Sequence, residues 1–286
     1  MFTDLTYWYD HHGRDLPWRR PGTSPWSILV CEVMSQQTPV ARVIPAWTAW
    51  MERWPTPAHL AQAETADVLR AWDRLGYPRR ALRLRECAAT IVERHGGDVP
   101  TTESELLALP GIGQYTAAAL LAFAFQRRSV VLDTNTRRVL ARLHGDALPP
   151  PSLTTSERER AATFVPDDDD AAAAWNTALM ELGALVCTAS LPRCEACPLA
   201  QHCEWLAAGR PADRFAHRRR TQTFEGTLRQ ARGKVMALLR DSDGPVTRDE
   251  ALAAASTDAD QAHEALQTLA ADGLVGVDEA IVSLPS

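Results

Sequence analysis

Four of the chain's six cysteines fall within 17 consecutive residues, spaced Cys187-x6-Cys194-x2-Cys197-x5-Cys203. A loop that gathers four thiols can converge on one metal centre, and such a centre ties the local chain path to its ligands. Zinc held by four cysteines usually takes two C-x2-C knuckles, and only one is present here. The spacing therefore favours an iron–sulfur centre without deciding it. A secreted disulfide framework would scatter its cysteines, so the clustering points to a reducing cytoplasm. Cys31 and Cys87 lie in apolar helical stretches and read as core.

Upstream of the cysteines the pattern is helical almost throughout. Helix-compatible apolar spacing covers 25–37, 39–53, 65–74, 79–95, 102–109, 114–126, 134–144, 156–164 and 171–186. Pro- and Gly-rich loops such as WPTP (54–57) and HGGDVP (95–100) separate these segments, and LPPPSLTTS (148–156) connects two halves. The run Asp167–Asp170 reads as a solvated helix start. Beyond about residue 220 the composition changes. Helices are expected at 228–241, 248–255 and 259–272, the second opened by the capping box Thr247-Arg248-Asp249-Glu250. An alternating hairpin follows at 274–284. Three helices and a hairpin suggest a small winged-helix-like module, giving domains 1–220 and 226–286. No basic leader precedes an apolar stretch, and no apolar run approaches a bilayer's thickness, so no membrane association is expected.

Net charge is −6, which taken alone argues against nucleic acid. The charge is unevenly spread, however. Residues 226–286 carry five basic and ten acidic residues, leaving the first 225 near neutral. The acidic module is read as a packing or protein-partner surface rather than a DNA reader. Lysine occurs once, at Lys234, so any lysine chemistry must use that residue.

Three further features carry chemistry. In Leu109-Pro110-Gly111-Ile112-Gly113, alternate glycines between two helices let a tight hairpin turn its backbone N–H groups toward a phosphate. Glu32 sits in Ile28-Leu29-Val30-Cys31-Glu32-Val33-Met34, where burial would raise its carboxyl pKa and let it hold a proton near neutrality, as a general acid must; pairing with an arginine is the plainer reading. Asp133 ends the apolar run Val130-Val131-Leu132 and opens a helix, which taken alone reads as an ordinary N-cap. An acid beside a carboxylate is also the pairing that cleaves glycosidic bonds. Trp18, flanked by arginines, could stack on a base, and Tyr77, in Leu75-Gly76-Tyr77-Pro78, could wedge into a base stack.

RDLPWR (14–19), EVMSQQTPV (32–40), LGYPRRALRL (75–84), LPGIGQYTAAAL (109–120), VLDTNTRRVL (131–140), ELGALVC (181–187) and the four cysteines together resemble the helix-hairpin-helix DNA glycosylases, and within them the MutY-type adenine glycosylases. The resemblance covers residues 1 to about 220. It implies a mainly α, two-lobed helix-hairpin-helix glycosylase fold with a [4Fe-4S] cluster on Cys187, Cys194, Cys197 and Cys203, followed by the winged-helix-like module. It implies that Glu32 protonates a flipped adenine, that Asp133 stabilises the positive sugar and helps water add, and that Asn135 and Tyr115 hold this arrangement. Arg14, Leu16, Trp18 and Arg19 would line the adenine pocket. Gln36, Gln37 and Tyr77 would probe the opposite base and the gap in the stack, and Gly111 and Gly113 would hold backbone phosphate. The implied substrate is double-stranded DNA with adenine opposite 8-oxoguanine or guanine, met by a monomer at the cytoplasmic nucleoid.

Related lyases of this fold carry a lysine nucleophile where Tyr115 stands, so base removal without a Schiff base is expected. MutY relatives usually follow this region with a Nudix-like domain, where this chain has the acidic module. Ser35, Thr134 and Thr177 also depart from the usual pattern, which bears on 8-oxoguanine discrimination more than on the chemistry. The competing readings are a mismatch thymine or uracil glycosylase of the same fold, a non-enzymatic DNA sensor, and a zinc-stabilised helical scaffold.

Overall fold

The computed structural model describes residues 1–219 and 223–285, so Ser286 and the expected domain boundary at 220 lie outside the described residues. Helices dominate. Among the described residues, strands occur only in the C-terminal segment, as Val246–Thr247, Gly276–Val277 and Ile281–Ser283. Most helices fall where the apolar spacing puts them. Three do not: Phe2–His12 precedes every segment with that spacing, the short Glu204–Ala207 follows the last clustered cysteine, and Pro57–Ala61 begins inside a stretch that reads as loop, with Pro57 at its first position. Proline there loses nothing, because its missing N–H would have had no intrahelical partner. Asp168 caps the helix Asp169–Leu185 by accepting the Ala171 amide at 2.9 Å, with Asp169 and Asp170 in the first turn.

The chain forms two compact units. The first takes Met1–Leu29, Thr101–Ala108 and the described residues of Ile112–Arg220. In its core, Leu5 and Trp8 of Phe2–His12 pack with Trp175, Leu179 and Leu182 of Asp169–Leu185 and with Val139, Leu140 and Leu143 of Thr134–Leu143.

The second unit takes Val30–Pro100, Leu109–Gly111 and the described residues of Thr221–Ser286. Trp50 and Trp72 are fully buried there, meeting edge to face at 5.5 Å between ring centroids. The C-terminal helices Leu228–Asp241, Arg248–Ala255 and Ala259–Ala271 pack on one another beside an antiparallel sheet, in which Ile281–Ser283 lies between the other two strands. The capping box at Thr247 and Glu250 is formed. This segment therefore belongs to the same compact unit as residues 30–100, with Arg79 and Arg232 both on Asp272 at 3.1 and 2.5 Å.

Candidate active site and cysteine centre

In the first unit, Asp133 caps the helix Thr134–Leu143, its Oδ1 accepting the Thr136 amide at 2.6 Å. The cap and a chemical role are compatible, since capping occupies one oxygen of a carboxylate. Val131 and Leu132 are buried just before it, and Asn176 fixes the approach by donating to the Ser129 carbonyl at 3.0 Å. Asn135 follows on the same helix, its Oδ1 accepting from Arg138 Nη2 at 2.9 Å. It lies so close to Gly183 that a Cβ there would sit 2.8 Å from Asn135 Cβ, so only glycine fits. Tyr115 is half-buried against Ala118, Ala119, Ala122 and Val131. Gly113 directly precedes the helix Gln114–Phe123 as its N-cap.

Arg14 and Arg19 converge on Glu181, which opens the ELGALVC stretch but has no role assigned from sequence. Arg14 Nε donates to Oε1 at 2.6 Å and Nη2 to Oε2 at 2.9 Å, while Arg19 Nη2 reaches Oε2 at 2.9 Å. Glu181 is wholly buried. Burial alone would push its carboxyl up, but the arginine hydrogen bonds outweigh that and hold it at about 2. The carboxylate thus stays charged and fixes two guanidiniums. The terminal Arg19 Nη1 is buried without a hydrogen-bond partner among the described residues. Trp18 is half-buried on the single turn Pro17–Arg19, and Leu16 is buried. A charge on the apolar face of Leu179-Met180-Glu181-Leu182 was the signal that could have found Glu181.

In the second unit, Glu32 is 8% exposed in the helix Pro25–Ser35, between buried Cys31 and Val33. After this helix the chain turns sharply, and Gln37 adopts φ +54° while Tyr77 adopts φ +48°. Left-handed backbone disfavours both residue types. Arg80 holds both loops. It donates to the carbonyls of Val33 at 2.8 Å, Gln36 at 2.6 Å, and Leu75 and Gly76 at 2.9 Å. Burial lowers its guanidinium to about 10, still a cation at neutral pH. This clamp presents Gln37 and Tyr77, both exposed, with Gln36 half-buried. Gly111 takes φ +78°, and a Cβ there would meet Arg83 Cβ at 3.0 Å, so the hairpin requires glycine.

All four clustered cysteines line one cavity in the first unit, with Arg142, Pro192 and Trp205. Arg142 is buried and organises the loop, donating to the Thr188 carbonyl at 2.8 Å, the Ala189 carbonyl at 3.0 Å and Cys187 Sγ at 3.2 Å. Arg138 adds a bond to the Cys187 carbonyl at 2.8 Å. Burial pushes the Cys197 thiol up to about 11, and the neighbouring thiols add to the rise. Four thiolates facing one cavity need a cationic centre to ionise together. Among the described residues, no group of three or more His, Cys, Asp or Glu is arranged to hold a single metal ion.

Residues 30–162 match the HhH-GPD superfamily of base excision DNA repair proteins. An adenine DNA glycosylase of Mycolicibacterium smegmatis is 53% identical over 95% of this chain and 91% of its own. One from Mycobacterium tuberculosis is 49% identical over 96% of this chain and 89% of its own. Among solved structures, a thermostable thymine-DNA glycosylase superposes with a TM-score of 0.65 at 26% identity, covering 72% of this chain and 95% of the other.

Proposed function

The chain belongs to the adenine DNA glycosylases, enzymes of base excision repair that hydrolyse the N-glycosidic bond of adenine, and we propose that it removes adenine opposite 8-oxoguanine or guanine without a lysine-dependent strand cut. The observation that carries the mechanism is the contrast between its two carboxylates. Glu32 is buried on an apolar helix, whereas Asp133 is half-buried at a helix N-terminus, with one oxygen held by the Thr136 amide. Glu32 protonates a ring nitrogen of the flipped adenine, so that the base departs neutral with the bonding electron pair. Asp133 stabilises the oxocarbenium ion left on the sugar. A water oxygen then bonds to that carbon and loses its proton to a carboxylate.

Asn135 and Tyr115 hold the Asp133 side of this reaction in place. Arg14 and Arg19, locked on Glu181, meet the adenine edge, with Trp18 and Leu16 as the apolar part of the same pocket. Gln36, Gln37 and Tyr77 enter the opened base step, and the amides at Gly111 and Gly113 take phosphate. Cys187, Cys194, Cys197 and Cys203 hold a [4Fe-4S] cluster. Their common cavity and the presence of a single C-x2-C pair suit a cluster better than zinc. When bound, the cluster supplies the positive charge that lets four thiolates share one loop.

Thymine release by the same fold is disfavoured by the chain's much closer likeness to adenine enzymes. Excision measured side by side on A:8-oxoguanine, A:G and T:G duplexes tests the proposal. Adenine release from the first two is expected; release of thymine, or no release from any duplex, would overturn it.

A further inference from the structure

The C-terminal segment is acidic overall, yet four of its five basic residues, Arg229, Arg232, Lys234 and Arg240, line one groove in the second unit. Arg42, Arg74 and Arg79 line the same groove. The groove encloses about 1000 Å³, at the top of the usual range for small-ligand pockets (about 300–1,000 Å³). Among the described residues lining it, Asp73 and Asp272 are the only acids, and Asp272 is already engaged by Arg79 and Arg232. Arg42, Arg74, Arg229, Lys234 and Arg240 have no carboxylate within ion-pair distance among the described residues. Arg240 Nε is buried and hydrogen-bonds to nothing there. The lip carries Gln37 and Tyr77, and Arg229 Nη1 donates to the Tyr77 hydroxyl at 2.9 Å while its guanidinium lies 5.0 Å from the ring of exposed Phe224.

An excess of cations over acids beside exposed aromatics is the chemistry of a nucleic-acid track, cations for phosphates and rings for bases. We propose that this groove holds the DNA backbone beside the base step that Gln37 and Tyr77 enter, with Arg229 as a positioning residue for Tyr77. The inference rests on the placement of those two residues in the opened step. An acidic module can serve DNA because four of its five basic residues are gathered in one groove, while of its acids only Asp272 lines it.

The test uses the full chain with its cluster, titrated with a duplex carrying a non-hydrolysable adenine nucleoside opposite guanine, at several KCl concentrations. Lys234→Glu combined with Arg74→Glu should weaken binding about tenfold and reduce the salt slope by about 0.9 for each phosphate that loses its cation. Arg248→Glu, a module residue outside the groove, should leave affinity and slope as in the wild type. Arg229→Met should slow excision at saturating DNA, and Arg229→Lys should restore part of it. Affinity and slope unchanged in the double variant, as for a groove that takes an acidic protein, would overturn the proposal; so would equal losses with Arg248→Glu. Absence of excision by the wild type would instead defeat the adenine reading, with the binding measurements still deciding the groove.

Discussion

At single residues, structural and chemical roles overlap and can be separated by choosing the substitution. Asp133→Asn keeps an N-cap of similar quality, so the melting temperature should barely move. It removes the charge facing the sugar, and single-turnover excision should collapse; an unchanged rate would reduce Asp133 to a cap. Glu32→Gln should slow excision by about 10²–10⁴-fold while leaving duplex affinity intact, because it removes only the proton. Glu181 gives a third, pH-dependent outcome. Its carboxyl titrates at about 2 in the fold and at about 4.3 when unfolded. Its contribution to stability is therefore complete above about pH 5 and fades as pH falls toward 2. Urea unfolding across that range should show wild-type stability declining, with a flatter profile in Glu181→Gln. That variant should be less stable near pH 7 by about 3 kcal/mol, because two guanidiniums lose their shared partner.

At the scale of elements, two loops keep their shape through one side chain. Arg80 ties the end of Pro25–Ser35 to the Leu75–Gly76 turn through five carbonyls, those of Val33, Met34, Gln36, Leu75 and Gly76, and both Gln37 and Tyr77 stand in left-handed backbone beside it. Arg80→Met removes these bonds and leaves the Gln36 and Leu75 carbonyls to the Thr38 hydroxyl and the Gly76 carbonyl to the Trp72 indole, which should cost about 1–3 kcal/mol. It should also weaken mispair binding; thermal melts and duplex titrations would read the two effects. Helices were legible in the sequence because apolar spacing and caps are local: Thr247 with Glu250, and Asp168 before its helix, could be read residue by residue. Arg80, Arg138, Arg142 and Glu181 were not. An arginine looks the same in sequence whether it lies in solvent or clamps a buried turn, and arginine is the commonest cation here. Burial is set by partners many positions away, such as Gly183, whose missing side chain lets Asn135 in.

At the scale of the whole molecule, composition decides which chemistry is available. Lys234 is the sole lysine, and it lines the groove beside Tyr77. Borohydride reduction during excision should trap no strong protein–DNA adduct, and such an adduct in the wild type would refute hydrolysis without a Schiff base. The purified chain should carry about four irons with broad visible absorption, and removing them should loosen residues 187–203 to proteolysis.

Both units are assembled from segments far apart in the chain. Arg14 must wait for Glu181, 167 positions later, which at ribosomal speeds of about 5–20 residues per second is about 8–30 seconds. Residues 30–100 wait longer still, until the C-terminal helices emerge. During synthesis neither unit can close early, and the tryptophan-rich first quarter of the chain spends that interval in need of temporary shelter.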